Sequence, residues 1–288
     1  MFAITGITGQ VGGVVARNLL AAGKNVRAVL RDSAKGERWA RQGCEVALAR
    51  MDEPDALQRA FTGSEGVFVL LPPNFDPSPG FTETRRIVAA LRGALENARP
   101  GRIVCISTVG AQAEQENLLS QLRILEQGLR DVVLPIIFLR PAWYMENAAW
   151  DVKAARDTGV IQSFLQPLDK AIPMVATTDV GGVAAELLQD VWRGHRVVEL
   201  EGPSRISPND IAASFARLLN RNVGASIVPR NSWEALFRSQ GMKYPIPRIR
   251  MLDGFNEGWL TFERDTRKGR VELDTVLRTL IERTLQNE

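Results

Sequence analysis

The chain opens with an apolar stretch that runs straight into regularly placed glycines: Met1-Phe2-Ala3-Ile4-Thr5-Gly6-Ile7-Thr8-Gly9-Gln10-Val11-Gly12. A residue without a Cβ lets the backbone turn sharply, come close to a ligand and pack the next helix against the strand. A helix that follows such a turn starts with amide hydrogens that have no intrahelical acceptor, and these face an anion. Gly6, Thr8, Gly9, Gln10, Val11 and Gly12 are therefore the candidates for holding a pyrophosphate. Three glycines alone are a weak sign, and their setting is what makes them specific. Val14, Val15, Leu19 and Leu20 recur at helical spacing, Gly23 stands where a helix would stop, and residues 26–30 read as a second buried strand. Strand, tight turn, helix and parallel strand make up a βαβ unit.

The alternation continues with strands expected at 46–48, 66–71, 102–106 and 135–139, and helices at 54–61, 82–97 and 118–130. Strands and helices that alternate in this way predict an α/β fold, a doubly wound parallel sheet covered by helices on both faces. After Pro141 the pattern loosens into a loop and helix over 142–173, a helix at 180–188 and a strand at 196–201. From Ser207 onward two or three helices follow, linked through Pro208, Pro229, Pro245 and Pro247. The expected division is a dinucleotide-binding domain of residues 1–141 and 174–203, and a smaller, α-rich substrate-side domain of residues 142–173 and 204–288.

Composition excludes several classes. Charged residues make up 24% and hydrophobic ones 45% of 288, which disfavours both a disordered chain and a membrane protein. No apolar run reaches the roughly 18 residues a bilayer span needs, and a first strand at residue 2 leaves no room for a leader, so the expectation is a cytoplasmic protein without a membrane partner. Cys44 and Cys105 lie in core-like segments, which suits a reducing compartment, and with the single His195 they assemble no metal set. Lys243, Arg248, Arg250, Arg264, Arg267, Lys268 and Arg270 gather near the end with Tyr244, Phe255, Trp259 and Phe262 among them. Acidic residues are interspersed and the net charge is only +3, so nucleic acid is not the expected partner.

The residue that closes the second strand chooses between the two nicotinamide dinucleotides. A carboxylate there accepts from a ribose 2′-OH, whereas an arginine pairs with a 2′-phosphate. This chain has Arg31, then Asp32, with Lys35 and Arg38 beyond, which favours NADP(H) and leaves NAD(H) open through Asp32. Leu71 and Pro72 close the fourth strand, Ser107 and Thr108 close the fifth, and Asp52 follows the third. All stand at carboxyl ends of parallel strands, where the ribose, the nicotinamide and the adenine are expected.

Taken together, the glycine turn, Leu30-Arg31-Asp32, Ile106-Ser107-Thr108, the run Phe138-Leu139-Arg140-Pro141-Ala142-Trp143-Tyr144-Met145-Glu146-Asn147, and Ile172-Pro173-Met174 through Thr178-Asp179-Val180 resemble the NmrA-like NAD(P)-binding family of atypical short-chain dehydrogenases/reductases. The likeness covers about the first 185 residues. It implies a Rossmann-type domain, a small C-terminal domain and a cleft between them. It also implies two competing roles: an oxidoreductase that passes hydride from NADPH to a small-molecule acceptor such as a quinone or dye, or a dinucleotide sensor that acts through a regulatory protein partner. A homodimer is compatible with either. Short-chain reductases place a Tyr and a Lys four residues apart on the helix that corresponds to 118–130, and here, aligned from Glu126, those positions hold Leu118 and Leu122. Neither leucine can donate a proton or lower a phenol's pKa, which also argues against an epimerase. Gln121 and Arg123 flank the second position. The catalytic candidates that remain are Tyr144 as the phenol, with Ser107 and Asn147 to orient a carbonyl.

Overall fold

The computed structural model describes residues 1–286. The chain divides into two compact units, the first of residues 1–112, 119–140 and 180–198, the second of 113–118, 141–179 and 199–288.

The first unit begins with β1 (Phe2–Thr5), α1 (Gln10–Ala21), β2 (Val26–Leu30), α2 (Ser33–Ala40), β3 (Glu45–Leu48), α3 (Pro54–Phe61), β4 (Gly66–Val69), α4 (Thr82–Ala98), β5 (Ile103–Ile106), α5 (Ser120–Gly128) and β6 (Ile136–Pro141). Strands β1, β4, β5 and β6 are buried along their whole length. Their predominantly apolar sequences follow from that, because a parallel strand covered on both faces has no wet side; the exceptions, Thr5 in β1 and Arg140 in β6, are buried. β1 pairs in parallel with both β2 and β4, and β4, β5 and β6 follow in the same direction. Leu57, Phe61, Leu91, Leu95, Ile103 and Leu125 form the core under one face. At the end of β4 the ladder passes to a side chain: the Thr5 hydroxyl donates to the Phe68 carbonyl at 3.1 Å and accepts from the Leu70 N–H at 2.9 Å. The expected strand at 66–71 therefore stops at Val69, and Leu71 and Pro72 lie beyond the sheet.

The later elements are β7 (Trp143–Tyr144), α6 (Val152–Asp157), β8 (Val160–Ser163), β9 (Ile172–Val175), α7 (Thr177–Gln189), β10 (His195–Glu201), β11 (Arg205–Ile206), α8 (Pro208–Leu219), β12 (Gly224–Ile227), α9 (Trp233–Ser239), α10 (Ile246–Glu257), β13 (Arg267–Lys268) and α11 (Leu273–Gln286). The main sheet has the order β13-β10-β6-β5-β4-β1-β2-β3. The Ile136 N–H donates to Gly194 and the Ala142 N–H to Leu200, six residues further along both chains, so β10 runs parallel to β6. This is the Rossmann-type arrangement that the alternation predicts.

The second unit holds two small sheets, β7-β9-β11 and the parallel pair β8-β12. Its apolar centre is Trp233, Phe237, Ile249 and Leu252. The tail after Ser207 has four helices, α8 to α11, where two or three were expected. Two other expectations are corrected in the first unit. Residues 33–40, read as a loop, form α2, and the helix expected from residue 118 starts at Ser120.

Candidate functional site

The glycine turn is closed to side chains. Gly6 has φ +61°, a conformation that L side chains rarely adopt, and a Cβ there would lie 2.9 Å from the Leu70 side chain. A Cβ on Gly12 would lie 2.4 Å from the Gly6 carbonyl oxygen, so helix α1 can start this close to β1 only with glycine at that position. The Gly9 N–H is used internally, donating to Gly6 at 2.9 Å. Gly9 is the N-cap of α1 and supplies no side-chain cap, and no acidic residue occupies the first turn. The first-turn amides of Val11 and Gly12 thus have no intrahelical acceptor and stand at the positive end of a 12-residue helix. Thr8, Gly9 and Gln10 are exposed, Val11 and Gly12 buried. The turn fits a pyrophosphate: bare amides, no competing carboxylate, and no Cβ in the way.

At the end of β2, Arg31 is exposed. Asp32 is committed elsewhere: it is the N-cap of α2, accepting from the Ala34 N–H at 3.1 Å, with Lys35 Nζ 4.0 Å away. Lys35 and Arg38 sit on α2 and are exposed. Asp52 is held by Arg50 at 3.2 Å and Arg86 at 3.0 Å, and the hydrogen bond from Arg50 is the main cause that keeps its carboxyl below the usual range. Leu71 is half-buried and Pro72 exposed.

After β5, Ser107 and Thr108 are both buried. The Ser107 hydroxyl donates to Glu126 Oε1 at 2.5 Å. Glu126 is gripped by Arg140, Nε to Oε1 at 2.8 Å and Nη2 to Oε2 at 2.7 Å, and Arg140 Nη1 donates to Gln112 at 3.2 Å. This two-pronged pair lies almost out of water, with the side chains 6% and 13% exposed. The Ser107 hydrogen is therefore spoken for, and the hydroxyl can offer a ligand only its lone pairs. Thr108 makes no side-chain hydrogen bond to any described residue. Leu118 is buried, precedes α5, and sends its N–H to the Pro247 carbonyl at 2.8 Å. Leu122 packs on the core of the first unit. Gln121 is a strut, accepting from the Thr84 hydroxyl at 3.0 Å and donating to the Asn74 carbonyl at 2.9 Å. Arg123 is half-buried on the same helix.

In the second unit, β7 pairs with β9, Trp143 opposite Met174 and Tyr144 opposite Val175, and Trp143 packs edge-on against Phe255 at 5.1 Å. Tyr144 is half-buried, and its hydroxyl has no hydrogen-bond partner among the described residues. Burial, and after it the charge of Glu146, pushes this phenol well above its ordinary value, so it stays protonated. The next residues fold back on α7. Glu146 Oε1 accepts from the Thr177 N–H at 2.8 Å and its hydroxyl at 2.6 Å, capping that helix, while Oε2 is buried with no hydrogen-bond partner among the described residues. Burial raises the Glu146 carboxyl against those two bonds. Asn147 is half-buried, with a side-chain amide not bonded to any described residue.

A profile of the NmrA-like family matches residues 1–257. The chain belongs to that family. Among relatives, it is 26% identical over 225 residues to an NAD(P)H azoreductase of Xenophilus azovorans, covering 77% of this chain and 75% of that one. It is also 26% identical over 244 residues to quinone oxidoreductase 2 of Escherichia coli strain K12, covering 84% and 82%. The solved structure of Citrobacter sp. triphenylmethane reductase complexed with NADP(H) matches with a TM-score of 0.82 at 21% identity, over 97% of this chain and 99% of that one, and so shares the fold.

Two arrangements in this NmrA-like chain escaped the sequence reading. One is the Glu126–Arg140 pair under Ser107, and the other is the Glu146 cap on Thr177. Arg140, Glu146 and Thr177 lie in the runs that carry the family likeness, and Glu126 outside them, but residues 14 and 31 positions apart give no local signal that they touch. Cys44 and Cys105 are free and buried, and desolvation raises both thiols, which keeps them protonated and inert.

Proposed function

We propose that this chain is an NADPH-dependent reductase that delivers hydride to a small apolar acceptor of the quinone or dye type. One observation carries the dinucleotide: the uncapped start of α1 over a turn where Gly12 leaves no room for a Cβ. The preference for NADPH rests on the close of β2, where Arg31, Lys35 and Arg38 are exposed cations and Asp32 is occupied in capping α2. NAD(H) would then bind through the same amides without the contribution of those cations. The acceptor reading draws on the relatives, which are named for azo, quinone and triphenylmethane reduction.

We assign the first unit to the dinucleotide and the second to the acceptor. Bound NADPH supplies the reducing hydride. In the first unit the amides of Val11 and Gly12 face the diphosphate across the Gly6–Gly9 turn, Asp52 and Leu71 with Pro72 flank its adenosine and ribose, and the Thr108 hydroxyl is the donor left at the end of β5. Ser107, fixed by Glu126 and Arg140, accepts rather than donates. In the second unit the Tyr144 hydroxyl is a protonated donor toward the acceptor oxygen, and the Asn147 amide orients it. Two free, buried cysteines suit a reducing compartment, and no described helix is long and apolar enough to cross a membrane.

A second reading is favoured by Leu122, which packs in the core where short-chain reductases place a lysine. It makes the chain an NADPH-binding regulator without turnover. A steady-state assay of NADPH oxidation against a panel of quinones, azo dyes and triphenylmethane dyes separates the two. Turnover that falls at least tenfold in Tyr144→Phe supports the reductase, and calorimetric NADPH binding with no turnover across the panel overturns it in favour of the regulator.

A further inference from the structure

Arg248 stands in the first turn of α10, half-buried in the second unit. Its guanidinium carbon lies 4.4 Å from the centroid of the Phe237 ring and 5.9 Å from that of Trp150, and one of its nitrogens is 3.9 Å from the Met242 sulfur. No described carboxylate pairs with it. The nearest acid in sequence to Trp150 is Asp151, whose carboxyl is raised to about 6 by burial alone, without a charge contribution from Arg248. No acidic residue occupies the first turn of α10.

A cation taken part-way out of water without a counter-charge is costly, and folded proteins as a rule pair it. The same unit shows the paired version. Arg230 lies over the Trp233 ring at 4.9 Å, as Arg248 lies over Phe237, but Arg230 also grips Asp253 through two bonds of 2.6 and 2.8 Å. Remove Asp253 from that picture and the Arg248 arrangement results. Desolvation with nothing to offset it holds the Arg248 guanidinium below its ordinary value. Trp150, 5.9 Å from the guanidinium, is 70% exposed, so aromatic surface is open to solvent beside the unpaired charge.

We propose that Arg248, Trp150, Phe237 and Met242 form a recognition site for an aromatic anion, an aryl sulfonate or aryl carboxylate. The acid group takes the place beside Arg248 that Asp253 takes beside Arg230, and the ring lies on the open face of Trp150. The site goes beyond the reductase reading and stands without it, because the binding needs neither coenzyme nor turnover.

The test titrates the full chain, without coenzyme, with 2-naphthalenesulfonate and with the neutral 2-naphthalenemethanol, followed by tryptophan fluorescence and calorimetry. The sulfonate is expected to bind at least about tenfold more tightly than the alcohol. Arg248→Met should erase that difference, Arg248→Lys should keep part of it, and Trp150→Leu should weaken both ligands. A thermal melt of each variant establishes that it folds. Should Arg248→Met fail to fold, the parent still decides the matter, because a charge-driven contact weakens severalfold between low and high salt while the alcohol does not. Equal binding of the two ligands by the parent, no sulfonate binding below about 10 mM, the highest concentration titrated, or unchanged affinity in both Arg248 variants overturns the proposal.

Discussion

Arg140 in the first unit and Arg248 in the second are both arginines drawn out of water, and the fold treats them in opposite ways. Arg140 is met by both oxygens of Glu126 and by Gln112, and that carboxylate in turn holds the Ser107 hydroxyl. Among the described residues Arg248 is met by two rings and a sulfur and by no carboxylate. The carboxyls differ in the same way. Asp52 in the first unit is held by two arginines, whereas Asp151 in the second has no side-chain hydrogen bond to any described residue. Burial is therefore not itself the mark of a binding group. The first unit uses its buried charge to fix the ends of its strands, and the second, although it pairs Arg230 with Asp253, leaves Arg248 unmatched among the described residues, which is what a ligand of opposite sign requires.

The sharpest way to break this contrast is to truncate one member on each side. Glu126→Ala leaves Arg140 buried without its carboxylate, and should cost about 3–5 kcal/mol in a urea melt. Arg248→Met removes an unpaired charge and should change stability by less than about 1 kcal/mol, or raise it. Comparable losses in the two variants would remove the distinction. The glycine turn comes next. Gly12→Val puts side-chain atoms on the Gly6 carbonyl and should weaken both coenzymes by about 100-fold or more by calorimetry, since no rotamer relieves a clash made by the Cβ itself.

A smaller effect sits at Asp151. Its folded carboxyl titrates at about 6, above the unfolded value, so the folded state holds the proton more tightly. Stability must then fall as the pH rises from about 4 through 6, with the full cost present above that. Asp151→Asn should flatten this slope and gain about 2 kcal/mol at pH 8, read from urea midpoints at several pH values. Coinciding profiles for parent and variant would show that water reaches the carboxyl freely. The smallest effect is expected at Arg31. Arg31→Ala should weaken NADPH about tenfold and leave NADH unchanged, sharpening the role of the cation at the end of β2.

The first unit was largely legible because β1, β4 and β5 are almost wholly apolar and the loops after its strands carry their own punctuation, Gly6 to Gly12 above all. The helix over residues 33–40 was missed because its signal is local and polar: Asp32 caps it, yet the same residue reads equally well as a ligand for a ribose. The second unit was less readable for a different reason. β7, β11 and β13 have two residues each, too short for any periodicity, and exist only through partners far along the chain such as Met174 opposite Trp143. Arg248 was noticed only as one of a basic group. Its distinction lies in what does not face it, and a sequence cannot show that. Leu118 was placed on a helix it precedes, since the apolar spacing continues two residues upstream of the true start at Ser120.

The way the chain is divided has a consequence for how it can come into being. The first unit takes its last segment from residues 180–198, after the chain has already supplied residues 141–179 to the second unit, which still awaits 199–288. Emerging from a ribosome, neither unit can close on the stretch then available. The glycine turn, made first, must wait for most of the polypeptide before its sheet is complete, and no single cut would release either half with all its parts.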